Sequence, residues 1–145
     1  MLVARGGDSL ETLWIPLKPQ ILNYRITTGQ VHGSFQTGIS RNDSCIEVFT
    51  TLTSPAFSRT NTGFMTLQMT PLRSTGKTVI GDQSQMDNET RYESGRLVVK
   101  TVVKPDNRIV TMDTSFTGNV IDPSQIPLLV RVLQRKVGAK YEYTT

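Results

Sequence analysis

Between residues 21 and 117 the chain is written in short runs of β-branched and aromatic residues, each closed within a few positions by Gly, Asn, Asp or Pro. Such runs predict antiparallel strands joined in sequence order, and no apolar period of helical length interrupts them. The sharpest hairpin pairs 97–103 with 108–116 across Lys104-Pro105-Asp106-Asn107, where Pro presets one turn dihedral and Asn tolerates a left-handed one. In its second strand Val110, Met112 and Phe116 fall on one face and Thr111, Asp113 and Ser115 on the other, so one face is expected to be wet. Tyr92-Glu93-Ser94-Gly95-Arg96 supplies another turn and returns 90–92 against the strand that begins at Leu97. Met65, Leu67 and Met69 make a third period-2 stripe, closed by Pro71. Further upstream Ile46 and Val48 oppose Cys45, Glu47 and Phe49 until Ser54-Pro55 ends the run. Residues 24–26 and 31–35 form an opening hairpin around Thr28-Gly29-Gln30. The pattern amounts to roughly seven or eight strands.

At Asp122-Pro123-Ser124-Gln125 the period changes, because Ile126, Leu129, Val130, Leu133 and Val137 recur at helical spacing. The spacing predicts an amphipathic helix over 125–136 with Ser124 as its cap, which places Pro127 in the first turn, and Gly138 ends it. Residues 139–145 alternate again, either as a closing edge strand or as the start of a continuation. The fold class expected is therefore mainly β: an antiparallel curved sheet or partly open barrel with one C-terminal amphipathic helix packed on it. A length of 145 residues with no linker and no internal repeat predicts one domain over 1–145, its first dozen residues disordered.

Composition agrees with that class. Hydrophobic residues make up 37% and charged residues 19%, while Thr, Ser and Gly hold positions that Leu and Ala would hold in a helical protein. The formal charge of +4 is scattered except at Arg131, Arg135, Lys136 and Lys140, which predicts a basic surface rather than a nucleic-acid footprint. Arg25 beside Tyr24 and Arg91 beside Tyr92 are neighbours in strands, so each pair points to opposite faces and makes no stacking platform. Nowhere do 18 apolar residues run together, and the apolar run in 1–7 is too short for a signal peptide, so a soluble chain without a transmembrane segment is expected. Cys45 is the single cysteine and can form neither an internal disulfide nor a cysteine metal site.

Candidate chemistry is sparse. Gly76-Lys77-Thr78 suggests a phosphate loop, but that motif needs a glycine at position 71, which is Pro. His32, the only histidine, has no identifiable acid or nucleophile around it, and Cys45 has no base that the pattern places beside it. Asp82, Asp87, Glu89 and Glu93 offer oxygen ligands at a spacing that matches no calcium loop, and the intervening Arg91 argues for a solvated turn region. Asn42-Asp43-Ser44 and Asn88-Glu89-Thr90 are formal glycan acceptors that matter only in an exported chain. No metal site and no cofactor is called for.

A meander with one late helix must bury the helix's apolar stripe, most simply against a concave sheet face. Such an arrangement encloses a cavity. Its lining would be Met65, Leu67 and Met69 from one stripe, Val110, Met112 and Phe116 from another, and Leu129 and Leu133 from the helix. Flexible methionines adapt to apolar ligands, whereas the same residues packed tightly would be an ordinary core.

Over 92–143 the chain also carries a Tyr92-x-x-Gly95 turn, two long strands, Asp122-Pro123-Ser124 leading into Leu128-Leu129-Val130-Arg131, and a Gly138-x-x-Tyr141 re-entry. In these features it resembles the middle of bacterial curved-sheet families of unknown function, related in architecture to the lipoprotein-carrier fold, an antiparallel half-barrel closed by helices. The resemblance implies a periplasmic or other cell-envelope location, apolar-ligand binding and no catalytic residues; without it a cytoplasmic protein is the default. Such families continue with further strands after the re-entry, so the resemblance also implies a C-terminus short of the fold's end. The function expected is a non-enzymatic module that holds an apolar or lipid-like small molecule between sheet and helix. Two alternatives stay open: a structural protein that forms homo-oligomers through the helix or the strand at Tyr141 to Tyr143, and an enzyme with a site near His32.

Overall fold

Alternation at 46–53 becomes a strand whose two sides differ at its start, because Ile46 and Val48 are almost completely buried while Glu47 and Phe49 are half-buried. The computed structural model describes residues 20–28, 31–81, 84–118 and 120–126. Eight strands are formed: β1 (Gln20–Thr28), β2 (Val31–Arg41), β3 (Ile46–Thr53), β4 (Phe57–Met65), β5 (Pro71–Ile80), β6 (Ser84–Glu93), β7 (Arg96–Lys104) and β8 (Arg108–Ser115). Each pairs antiparallel with the next, and the sheet runs in the order β1 to β8 without closing, so the described strands form an open meander.

Local turn chemistry explains most boundaries. Asn107 adopts the left-handed conformation between β7 and β8 (φ 53°), and Gly95 does so between β6 and β7 (φ 71°), where a side chain would strain the backbone. Between β2 and β3 the Asn42 side-chain oxygen accepts from the backbone N–H groups of Ser44 and Cys45, both at 2.8 Å. Asn42 is thereby a turn former.

Directly opposed residues of antiparallel strands lie on one side of a sheet, so the register sorts the side chains into two faces. One face carries Tyr24, Phe35, Ile39, Ile46, Val48 and Met65 across β1 to β4, then Met86, Val99, Val103, Val110 and Met112 across β6 to β8. The other carries Arg73, Lys77, Asp87, Glu89, Arg91, Lys100 and Asp113. The first is the more apolar face, shared by Arg59 and Arg108, and the second carries most of the charges. The buried cluster is small: Ile39 opposes Val48, Ile46 opposes Met65, and Met69 packs against them. At about 1.5–3 kcal/mol for each buried side chain, this centre of the apolar face is where hydrophobic stabilisation concentrates.

The structure corrects three expectations. The stripe Met65, Leu67, Met69 is broken: β4 stops at Met65, and Thr66 to Thr70 form a turn closed by Met69 N–H to Thr66 O and Thr66 N–H to Thr70 O, both 2.9 Å. Met69 takes a positive φ of 67° there, and Pro71 opens β5 rather than closing a strand, since the first strand position can spare an N–H. Secondly, β8 is exposed along its whole length, so Val110 and Met112 are as wet as Thr111 and Asp113; it is an edge strand and no described residue covers it. Thirdly, the cap at the change of period is Asp122, not Ser124, because the Asp122 carboxylate accepts the Ser124 N–H and Pro123 takes the first position of a 3-10 turn, Pro123–Gln125. The remainder of the expected helix over 125–136, with Leu129 and Leu133, the strand at Tyr141 to Tyr143, Asp82 and the first dozen residues lie outside the described residues.

Candidate functional site

The Asp122 turn sits on the apolar face above β4, β5 and β6. Its position follows from hydrogen bonds. One carboxylate oxygen of Asp122 accepts from the Ser74 hydroxyl of β5 at 2.7 Å and from the Tyr92 hydroxyl of β6; the other accepts from the Ser124 N–H at 2.8 Å and from the Ser124 hydroxyl. Gln125 completes a reciprocal capping box, accepting the Asp122 N–H at 2.6 Å, and its amide donates to the Met69 carbonyl at 2.7 Å and approaches the Met65 sulfur at 3.7 Å. Asp122, Ser124 and Gln125 are all buried, yet no buried side-chain polar atom among the described residues lacks a partner. A fully satisfied polar cluster of this kind specifies one docking geometry.

Gly63 in β4 makes that docking sterically feasible. A Cβ at this position would lie 1.8 Å from the Ser124 Oγ and 2.7 Å from its Cβ. The glycine is thus a socket.

The Tyr92 phenol is pushed well above its ordinary value, first by burial, then by the hydrogen bond to Asp122 and by that group's charge. A phenol whose folded-state value is raised favours the fold below the unfolded value of 10.0, and that contribution is lost as pH climbs through the shifted one. Stability should therefore decline above about pH 10. Chemical denaturation between neutral pH and pH 11 should show a smaller decline for Tyr92→Phe, and an equal decline in the two proteins would remove Tyr92 as its source.

On both sides of the turn the apolar face continues uncovered among the described residues. Tyr24, whose ring lies 5.9 Å from that of Phe35, is 50% exposed, and at the other end Ile80 is 49%, Val110 48% and Met112 51% exposed. The proposed lining residues thus fall into two patches. Met65 is part of the buried centre, Met69 packs beside it and Leu67 is exposed on the intervening turn. Val110 and Met112 share their face four strands away, about 19 Å at ordinary strand spacing, and Phe116 is half-buried just after β8, its N–H bonded to Gly95 O.

The charged face holds the other candidates. His32 is exposed there, its Nδ1 3.5 Å from the Thr27 hydroxyl, in a shallow cleft lined by Arg25, Gly33, Ser34, Thr53, Ser54 and Pro55 with no carboxylate. Cys45 is free and half-buried at the entry to β3, away from His32. Asp87 pairs with Lys104 at 3.1 Å and Glu89 with Arg91 at 2.8 Å, and no three His, Cys, Asp or Glu among the described residues converge on a metal position. Hydrogen bonds from Gln85 and Lys104 lower Asp87 below its ordinary value, and the Arg96 guanidinium does the same for Asp113. Gly76, Lys77 and Thr78 lie within β5, not in a loop, and Asn88 is half-buried within β6. No helix among the described residues is long and apolar enough to cross a membrane.

Sequence reasoning missed the Ser74, Tyr92 and Gly63 contributions. The spacing of Asp122 and Gln125 fits a capping box, but its partners on the sheet lie 48 and 30 residues away from Asp122. No protein-family model, curated protein or solved structure matches the chain.

Proposed function

We propose that this protein is a non-enzymatic binding module that holds an apolar or lipid-like molecule against the apolar face, in the space between a curved sheet and an amphipathic helix over 125–136. The observation that carries the reading is the continuation of that face past the docked turn, where Ile80, Val110 and Met112 are about half exposed. Exposed large apolar side chains on one face mark an interaction surface, and branched and methionine side chains suit an apolar ligand better than a polar one. The turn bonded to Ser74 and Tyr92 delivers the chain to the same face at Ile126, where the stripe Ile126, Leu129, Val130, Leu133 and Val137 begins. The resemblance to lipoprotein-carrier-like half-barrels, with its cell-envelope location, points the same way.

A second reading rests on β8, whose eight residues are all exposed along an edge that no described strand pairs with. An edge that presents Ile109, Val110 and Met112 is a template for pairing with another copy. Native mass spectrometry before and after mild organic extraction separates the two. A co-purifying apolar mass, lost on extraction and absent in Met112→Glu, is the expected result; a ligand-free oligomer would replace the binding reading with the assembly one.

A further inference from the structure

The cleft around His32 lies on the charged face, on the opposite side of the sheet from Tyr24 and Phe35, and its composition is one-sided. Arg25 opposes Ser34, which opposes Thr53, so a guanidinium and two hydroxyls stand in one row across β1, β2 and β3, with His32 opposite Thr27 one step along. No ion pair among the described residues engages Arg25, whereas Arg91, Arg96 and Lys104 at the other end of the sheet each meet a carboxylate. The acidic side chain of β3, Glu47, is six residues from Thr53, about 20 Å along an extended strand and beyond a Debye length at physiological salt. The His32 ring lies with Nδ1 3.5 Å from the Thr27 hydroxyl, and an imidazole always carries at least one N–H donor. The cleft thus presents a fixed cation, a nitrogen donor and hydroxyl donors with no opposing acid among the described residues, in a recess of about 560 Å³.

We propose that this recess binds a tetrahedral oxyanion, a phosphate or phosphomonoester group, with Arg25 supplying charge-assisted hydrogen bonds and His32, Ser34 and Thr53 orienting the anion. Guanidinium geometry matches two oxygens of such a group at once, and hydroxyls can serve the remaining ones. The site is separate from the apolar face, so it stands or falls independently of the ligand proposed there.

Two-dimensional NMR on the whole chain at low ionic strength tests it, with inorganic phosphate as one probe and vesicles containing phosphatidic acid, whose headgroup is a phosphomonoester, as the other. Amide shifts confined to Arg25, His32, Ser34, Thr53 and Ser54, saturating by about 10 mM phosphate, would assign a free anion. Binding of the vesicles without a response to phosphate would assign the phosphate of a lipid headgroup. In either arm Arg25→Gln should weaken binding about tenfold or more, while Arg108→Gln on β8 should not. Absence of both responses, or equal responses in Arg25→Gln and the unsubstituted chain, would overturn the proposal. Because Arg25 is exposed, its replacement should leave the unfolding midpoint unchanged, so a loss of binding is read on a folded protein.

Discussion

Replacing Asp122 with alanine is expected to destabilise the protein by about 3 kcal/mol or more, the largest loss anticipated for any single surface-distal polar residue here. The carboxylate receives donors from β5, β6 and its own turn, so its removal strands the buried Ser124 N–H and the half-buried Ser74 and Tyr92 hydroxyls. Each abandoned buried donor costs about 1–3 kcal/mol, and partial rearrangement keeps the sum below full additivity. Urea denaturation should show a lower midpoint with the slope retained. Asp122→Asn keeps one acceptor oxygen and turns an amide toward the other donors, so it should fall between the two. Asp113→Asn serves as control: its bond to Arg96 is exposed and solvent-screened, and the midpoint should hardly move. Equal midpoints for Asp122→Ala and the parent would mean that the turn contributes nothing to the fold.

Gly63→Ala is expected to cost about 1–3 kcal/mol by overpacking, through a different mechanism. The added methyl would occupy the Ser124 side chain, and the clash is with a residue held on both sides by the capping box. Either the turn lifts from β4 or the strand bends away. A double substitution discriminates between them, since Ser124→Gly removes the obstructing atoms. Gly63→Ala should be considerably less costly in the Ser124→Gly background than alone, whereas equal costs in both would show that the penalty arises from strand propensity instead.

The strands were legible because their causes are local. Pro105 and Asn107 set one turn, Gly95 another, and alternation placed Ile46 and Val48 on one face of β3, the face the structure buries. The same logic placed Val110 and Met112 correctly on one face, yet it could not reveal that β8 is an edge, because exposure depends on what lies beyond a strand rather than on its own pattern.

The misread positions share a physical reason. Met65, Leu67 and Met69 alternate as well as any strand, but the hydrogen bonds between Thr66 and Thr70 and the left-handed Met69 turn the chain there, and Gln125 braces the turn through the Met69 carbonyl. Asp122 and Ser124 are comparable caps by propensity; the choice is made by Ser74 and Tyr92, which offer donors that the Asp122 carboxylate can accept, and by Gly63, which leaves space for Ser124. Dihedral preference and face alternation act over a few residues and were determined by the sequence alone. Which residue caps the turn, which apolar stripe breaks, and which half of the apolar face is covered were decided only by the tertiary structure, because those choices depend on donors, acceptors and free volume brought from strands far apart in the chain.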